Sequence, residues 1–229
     1  MVAIPVSVIG VVANFIPNPF ADKPKYALSV VRGDAAEIMT DHIVEDAGDN
    51  KKKMQRLAPA VTVAVKNNGE LPAVISEVRV TIKDIRRIKP CKPEGGAVLV
   101  TGTYSFRMPR DAVAGQVKTL RTTFEVEPRR ADSLAVTFGE VDPFVHSSPL
   151  WLYRVSLEFR EENSKDFLSV PGQFVLASTA ESARAFASYS CMRQGGDAAV
   201  KDFVAGDDPE GLFMTDGVRE LLEGARKRS

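Results

Sequence analysis

Histidine is the side chain best suited to exchange protons near neutral pH, and the sequence contains only two, His42 and His146. His146 directly precedes Ser147 and Ser148, and a histidine that faces a serine is the pairing that nucleophilic hydrolases use. Neighbouring residues rarely face one another, however, and no carboxylate is placed to orient the imidazole ring. His42 falls in a segment with strand periodicity, where packing or an edge position accounts for it. We therefore expect neither histidine to be catalytic.

No other catalytic or cofactor-binding signature occurs in the sequence. The chain lacks the glycine-serine-glycine pattern of a nucleophile elbow, a phosphate-binding glycine loop and a metal-binding helix motif. One group of carboxylates lacks the alternating spacing and the central glycine of a calcium loop; it comprises Asp41, Glu45, Asp46 and Asp49. The sequence thus predicts no catalytic, cofactor-binding or metal-binding residue, and we expect the protein not to be an enzyme.

The two cysteines, Cys91 and Cys191, stand a hundred positions apart, which is not the spacing of a metal or redox motif. They can form a disulfide between the tail and the rest of the chain only if their Cα atoms lie within about 7 Å. Free thiols in a reducing compartment are the favoured alternative.

The overall charge argues against nucleic acid as a partner. Lysine plus arginine and aspartate plus glutamate each total 30, so the chain has no net positive field to attract phosphate. One local stretch is basic nonetheless, and two interpretations remain open. It is either a solvated strand edge that charge protects against pairing, or a surface for an anionic partner. Its cations are Arg79, Lys83, Arg86, Arg87, Lys89 and Lys92.

The elements that must carry these side chains are strands, since apolar and polar residues alternate through most of the chain. The clearest example spans residues 61–82, where Val61, Val63 and Val65 share one face of a first run. A second run places Val74, Val78, Val80 and Ile82 on one face, and the turn-forming residues 67–72 lie between the two runs. This pattern predicts a β-hairpin with one buried face. The alternation breaks near Asp84, which predicts a bulge or a bend.

Further runs of the same kind predict a β-sandwich of about eight or nine strands. Trp151 is expected to be a core aromatic, and Pro171 should place the last strand at a sheet edge. Residues 45–53 are rich in charged and turn-forming side chains and should form an exposed, mobile loop. The additional strands are predicted over residues 25–32, 37–44, 98–108, 120–126, 134–138, 151–160 and 167–177.

The tail from residue 178 onward has helical rather than strand character. Ser178 or Thr179 can cap a first helix that runs to about Met192, and a short helix follows over residues 197–204. Asp216 can cap a last helix whose apolar stripe must be buried against the sandwich or a partner. That stripe comprises Val218, Leu221, Leu222 and Ala225.

The N-terminal residues 2–16 are uncharged and almost wholly apolar. They fall short of the about 20 residues that a spanning helix needs, and they lack the basic start and small-residue cleavage site of a signal peptide. Three interpretations remain: a first strand or helix of the fold, membrane attachment through residues 1–20, or an arm that docks on another subunit. A cytoplasmic or peripherally membrane-associated protein is favoured over a secreted one.

Residues 60–177 resemble a bacterial immunoglobulin-like β-sandwich module. The similarity is carried by residues 61–69, 74–82, 125–138 and 152–159, and the chain also resembles uncharacterised actinobacterial proteins in which an apolar N-terminal segment precedes such a module. The resemblance implies a mainly β, immunoglobulin-like antiparallel sandwich. The patterns along the whole chain predict an apolar arm or short anchor over residues 1–24, a sandwich over residues 25–177 and a helical tail over residues 178–229.

Because one fold supports many activities, the architecture alone does not define a function. We expect a non-enzymatic protein-interaction or scaffolding module, with a protein partner or self-association and no nucleic acid. The alternatives are a structural subunit of an oligomeric assembly and a membrane-anchored, ligand-binding sandwich.

Overall fold

The computed structural model describes residues 26–45, 51–88, 105–108, 112–140, 150–188, 195–205 and 211–228. Within these ranges the chain forms ten strands and three helices. The strands are β1 (Leu28–Glu45), β2 (Lys51–Asn67), β3 (Ala73–Ile88), β4 (Ser105–Met108), β5 (Val117–Val126), β6 (Ala131–Glu140), β7 (Leu150–Glu161), β8 (Phe167–Ser169), β9 (Gln173–Ala177) and β10 (Leu212–Met214). The helices are α1 (Ala180–Ser188), α2 (Gly196–Ala205) and α3 (Asp216–Lys227).

The strands form two sheets. A four-stranded sheet has the order β1-β2-β6-β4, and a six-stranded sheet has the order β10-β9-β7-β3-β5, with β8 paired to β7. Neighbouring strands are antiparallel except for β4 with β6 and β9 with β10, which are parallel. The predicted mainly β fold, with two packed sheets and a small helical tail, is confirmed.

One apolar core joins the inner faces of the two sheets. Val61, Val63 and Val65 of β2 are fully buried, as their alternation predicts. The six-stranded sheet supplies a matching row of buried side chains, which comprises Val78, Val80, Ile82, Tyr153, Val155, Leu157 and Phe159.

The predicted hairpin between β2 and β3 is wrong, because these two strands belong to different sheets. The connection passes from one sheet to the other at Asn67, whose side chain is fully buried. The Asn67 amide donates to the carbonyl oxygens of Leu71 at 2.8 Å and Val126 at 2.9 Å, and its Oδ1 accepts from the Gly69 backbone N–H at 2.8 Å. Alternation fixes which face is buried, but a hairpin and a sheet-crossing connection share that pattern.

The bulge predicted near Asp84 is confirmed, since the pairing of β3 with β7 shifts register between Ile82 and Asp84. A second shift lies between Ile75 and Glu77. One inserted residue moves every later side chain to the other face. Ile75 is therefore buried in place of Val74, and the prediction for Val74 is wrong.

The two strands predicted over residues 25–32 and 37–44 are one strand of 18 residues, β1, which pairs with β2 from Leu28 to Glu45 except at a bulge at Val31. Gly33 lies inside β1 as a point of close approach rather than as a turn. A Cβ atom there would lie 2.5 Å from the Val170 side chain and 2.7 Å from the Phe174 ring. Residues 51–53, predicted as part of a loop, begin β2, and residues 46–50 lie outside the described residues.

Two predictions about the end of the sandwich need correction. Pro171 divides the last predicted strand into β8 and β9, and β9 is not at an edge because the short β10 pairs with it in parallel. Trp151 is only partly buried and packs at the margin of the core, with the Arg87 guanidinium 5.7 Å from its ring. Of the strand predicted over residues 98–108, only residues 105–108 are described.

The helical tail is confirmed and packs on the outer face of the six-stranded sheet. Thr179 caps α1 by accepting from the Ser182 N–H at 3.0 Å; residues 189–194, where this helix was predicted to end, lie outside the described residues. The stripe of α3 is buried in a second apolar cluster with both other helices and the β7 and β9 ends. That cluster includes Leu150, Leu152, Val175, Ala177, Val200, Phe203, Val218, Leu221 and Leu222.

Two charged contacts fasten the tail. Arg228, after α3, donates to both carboxylate oxygens of Asp197 in α2, and also to the Ala187 carbonyl of α1. Glu37 of β1, whose side chain is only 4% exposed, accepts from Arg184 of α1 and from the Gly217 N–H of α3 at 2.7 Å. The tail is thus tied to the four-stranded sheet as well as packed on the six-stranded one.

Candidate interaction surface

The predicted proton-transfer and thiol residues are not brought together in the part of the chain that the structure describes. His146, Cys91 and Cys191 lie outside it, and of His42 only the backbone position in β1 is described. Among the described residues, no group of three histidine, cysteine, aspartate or glutamate side chains is placed to hold a metal ion.

The basic stretch lies on β3, which pairs with β7 as far as Ile88 but with β5 only as far as Thr81. Arg79 is therefore on the interior part of the strand, where the edge interpretation is wrong. Among the described residues, no strand pairs with the β5 side of β3 at Lys83, Arg86 and Arg87, so the edge interpretation holds there. Arg79 lies 3.4 Å from the Glu158 carboxylate, and its guanidinium lies 3.4 Å from the centre of the Phe167 ring. On the same face Arg160 pairs with Glu77. These contacts offset part of the positive charge. Lys83, Arg86 and Arg87 are exposed or nearly so, and Lys89 and Lys92 lie outside the described residues.

A groove of about 360 Å³ lies between α2, β10 and α3. Among the described lining residues, the polar groups are the long cationic side chains of Lys201 and Arg226, and these do not form the set of fixed hydrogen-bonding groups that orients a small ligand. The other lining residues are Val204, Ala205, Leu212, Met214 and Leu222. The groove is therefore the weaker candidate for a functional site.

The stronger candidate is the free edge of β1. This strand has β2 on one side and no partner on the other among the described residues. Its 18 residues span about 60 Å at the usual rise per residue, whereas most strands have about 3–10 residues. From Arg32 to Glu45 its register with β2 continues without interruption. A long row of backbone donors and acceptors is thus available to an added strand.

The side chains of β1 protect this edge only in part. The strand contains neither lysine nor proline, the residues that most commonly guard edges, although it carries other charged residues: Arg32, Asp34, Asp41 and Glu45. Its one bulge is at Val31, and the inward Glu37 is already used by the tail. Val31 is 56% exposed and Met39 57% exposed. Exposed apolar side chains beside an open backbone edge are typical of strand-addition sites.

The other sheet edges are shorter. β5 has ten residues, β4 has four and β10 has three. The β1 edge is therefore the longest sheet edge among the described residues. Sequence reasoning missed it because strand order is not visible in an alternating pattern; the absence of lysine from residues 28–45 is the signal that was available.

Comparison with known proteins adds no relative: no family model, no curated protein and no solved structure matches this chain. Within the described ranges, none of the three helices has the length and apolar character required to traverse a bilayer. The arguments about function therefore rest on the geometry of the sheets and on the sequence.

The buried carboxylate of Glu161, at the end of β7, adds a pH dependence to the stability of the protein. Glu161 ends β7 and is 7% exposed. Burial raises the pKa of Glu161 above its ordinary value of 4.5, and a hydrogen bond from the Leu28 backbone lowers it by less. Its Oε1 has no hydrogen-bond partner among the residues that the structure describes. The folded state therefore favours the protonated form of this carboxyl group.

Replacing Glu161 with glutamine is expected to flatten part of the pH dependence of unfolding. Because the folded-state pKa is raised, the stabilising contribution of Glu161 is complete below the unfolded pKa and disappears as the pH rises through the folded pKa. The stability of Glu161→Gln relative to the native chain should accordingly increase with pH above about 4.5. Urea unfolding at a series of pH values measures this difference. A difference that does not vary with pH would contradict the assignment.

Proposed function

We propose that this protein is a non-enzymatic interaction module, an immunoglobulin-like β-sandwich whose β1 edge binds an extended segment of a protein partner. The observation that carries the proposal is the uncovered edge of 18 residues. In strand addition, main-chain hydrogen bonds supply affinity and the alternate side chains supply specificity. This mode of binding needs no proton-transfer group, metal or cofactor.

The same edge supports the second candidate, a subunit of an oligomeric assembly. Val31 and Met39 are exposed along β1 and offer apolar contacts to another chain. An edge of this kind is a template for another chain, including a second copy.

Photo-crosslinking tests the proposal with a matched control. A photoreactive residue at Met39, on β1, should trap a protein adduct in the full chain. The same residue at Val117, which is 52% exposed on the β5 edge, should not. Adding lysines by Ala36→Lys and Ile38→Lys should reduce the Met39 adduct at least about tenfold, since lysine blocks edge pairing. Equal adducts from both edges, or none from Met39, would exclude the β1 edge as the binding site.

A further inference from the structure

We infer that the segment bound at the β1 edge is the apolar stretch of residues 2–16 from a second copy of this chain. The inference rests on the proposed function, because it requires the β1 edge to accept a strand. It names the partner as another copy and assigns the N-terminal segment the role of an exchanged strand.

The composition of residues 2–16 suits an added strand. Eight of these fifteen residues are valine or isoleucine, and none is charged. β-Branched side chains favour extended structure and pack well on a pleated surface. The segment has nearly the length of β1, which has 18 residues. The segment carries no charge to oppose the exposed Val31 and Met39, and its one proline, Pro5, lies near its N-terminal end.

The pattern of the segment favours a second copy over its own molecule. Its apolar residues occupy odd and even positions alike, and a strand that is apolar on both faces must be covered on both. The helices form their apolar cluster with the six-stranded sheet, and none of the described residues of the four-stranded sheet belongs to that cluster. The described part of one molecule therefore offers apolar cover only to the inner face of an added strand, and a second molecule would supply cover for the outer face.

The linker between residues 2–16 and β1 also favours pairing with a second copy. Residues 17–25 contain Pro17, Pro19 and Pro24, and proline-rich linkers are extended and stiff, at about 3.1 Å per residue. The nine residues can therefore carry the segment about 28 Å from the start of β1. Reciprocal exchange would give each copy fifteen arm residues and a similar number from β1, which matches the about 20–30 residues a side of a stable interface.

Cysteine trapping between two distinguishable copies tests this inference. In a Cys91→Ser, Cys191→Ser background, one copy carries Val8→Cys and a second, longer-tagged copy carries Ala36→Cys in β1. A short bismaleimide should join the two copies at least tenfold more than when the second copy carries Thr119→Cys on the β5 edge. Light scattering should give a dimer for the full chain and a monomer both for the chain that starts at Asp22 and for Val8→Asp.

The other outcomes overturn the inference in distinguishable ways. A further variant carries both Val8→Cys and Ala36→Cys in one copy. If crosslinking occurs only within this variant and its mass is that of a monomer, the segment covers the β1 edge of its own molecule. A dimer that persists in the chain starting at Asp22 would leave the β1 edge as the interface but exclude the segment. Binding of the segment to phospholipid vesicles without any crosslink would favour membrane attachment. A monomer at all concentrations with no crosslink would exclude exchange, and the Met39 photo-crosslink would still report on the edge separately.

Discussion

Glu37→Gln is expected to lower the free energy of unfolding by about 2–3 kcal/mol, within the range for breaking a buried charged contact. Glu37 is the carboxylate through which β1 contacts α1 and α3, and its side chain is 4% exposed. Its Oε1 accepts from the Gly217 N–H near the start of α3, where the helix dipole also favours a negative charge. Glutamine keeps the shape and one acceptor, but it turns an amide N–H₂ group or a neutral oxygen toward Arg184.

Glu220→Gln is the matched control. Glu220 also pairs with Arg184, at 3.2 Å, but its side chain is 51% exposed, and exposed ion pairs contribute about 0–1 kcal/mol. Urea unfolding should therefore separate the two variants clearly. Hydrogen exchange should also become faster in α3 for Glu37→Gln while the β2 core stays protected. Equal losses in the two variants would mean that Glu37 does not fasten the tail.

The local elements of this fold can be read from the sequence to a large extent. Alternation identified the buried faces of β2, β6 and β7, and the loss of phase near Asp84 identified a real bulge. The apolar stripe of α3 predicted burial, and Leu221 is fully buried. These features depend on residues close together in the chain, where period and turn chemistry are direct signals.

The pairing of the strands could not be read in the same way. Nothing in residues 61–82 distinguishes a hairpin from a connection between sheets, because the decisive contact joins Asn67 to Val126, 59 positions away. The role of Gly33 could not be predicted either, because the side chains that approach it, Val170 and Phe174, are far away in the sequence. Long-range contacts leave no periodic trace in a single sequence.

The candidate interaction surface depends on the same long-range information. The absence of lysine and proline from β1 is visible in the sequence, but it becomes meaningful only when β1 is known to be an edge. Conversely, the basic stretch was conspicuous in the sequence, yet Arg79 is paired with Glu158 and stacked on Phe167. Whether a charge is free or paired depends on strand neighbours.

Asn67→Ala is expected to destabilise the fold by about 3 kcal/mol, because a buried polar group left without a partner costs about 1–3 kcal/mol and this change affects several. The alanine removes both donors from the carbonyl oxygens of Leu71 and Val126 and the acceptor from the Gly69 N–H. These bonds hold the connection between the two sheets, where Asn67 is fully buried.

Asn68→Ala is the matched control for the sheet connection. Its side chain makes one exposed hydrogen bond, to the Ser29 hydroxyl at 3.0 Å, and exposed sites away from special features usually change stability by less than about 0.5 kcal/mol. Urea unfolding should give a lower midpoint for Asn67→Ala with an unchanged slope. Asn67→Asp separates the donors from the acceptor: it keeps the acceptor for Gly69 but sets a carboxylate against two carbonyl oxygens, so it should be no more stable than Asn67→Ala. If Asn67→Asp were instead as stable as the native chain, the hydrogen bonds donated to Leu71 and Val126 would not be what stabilises the connection between the two sheets.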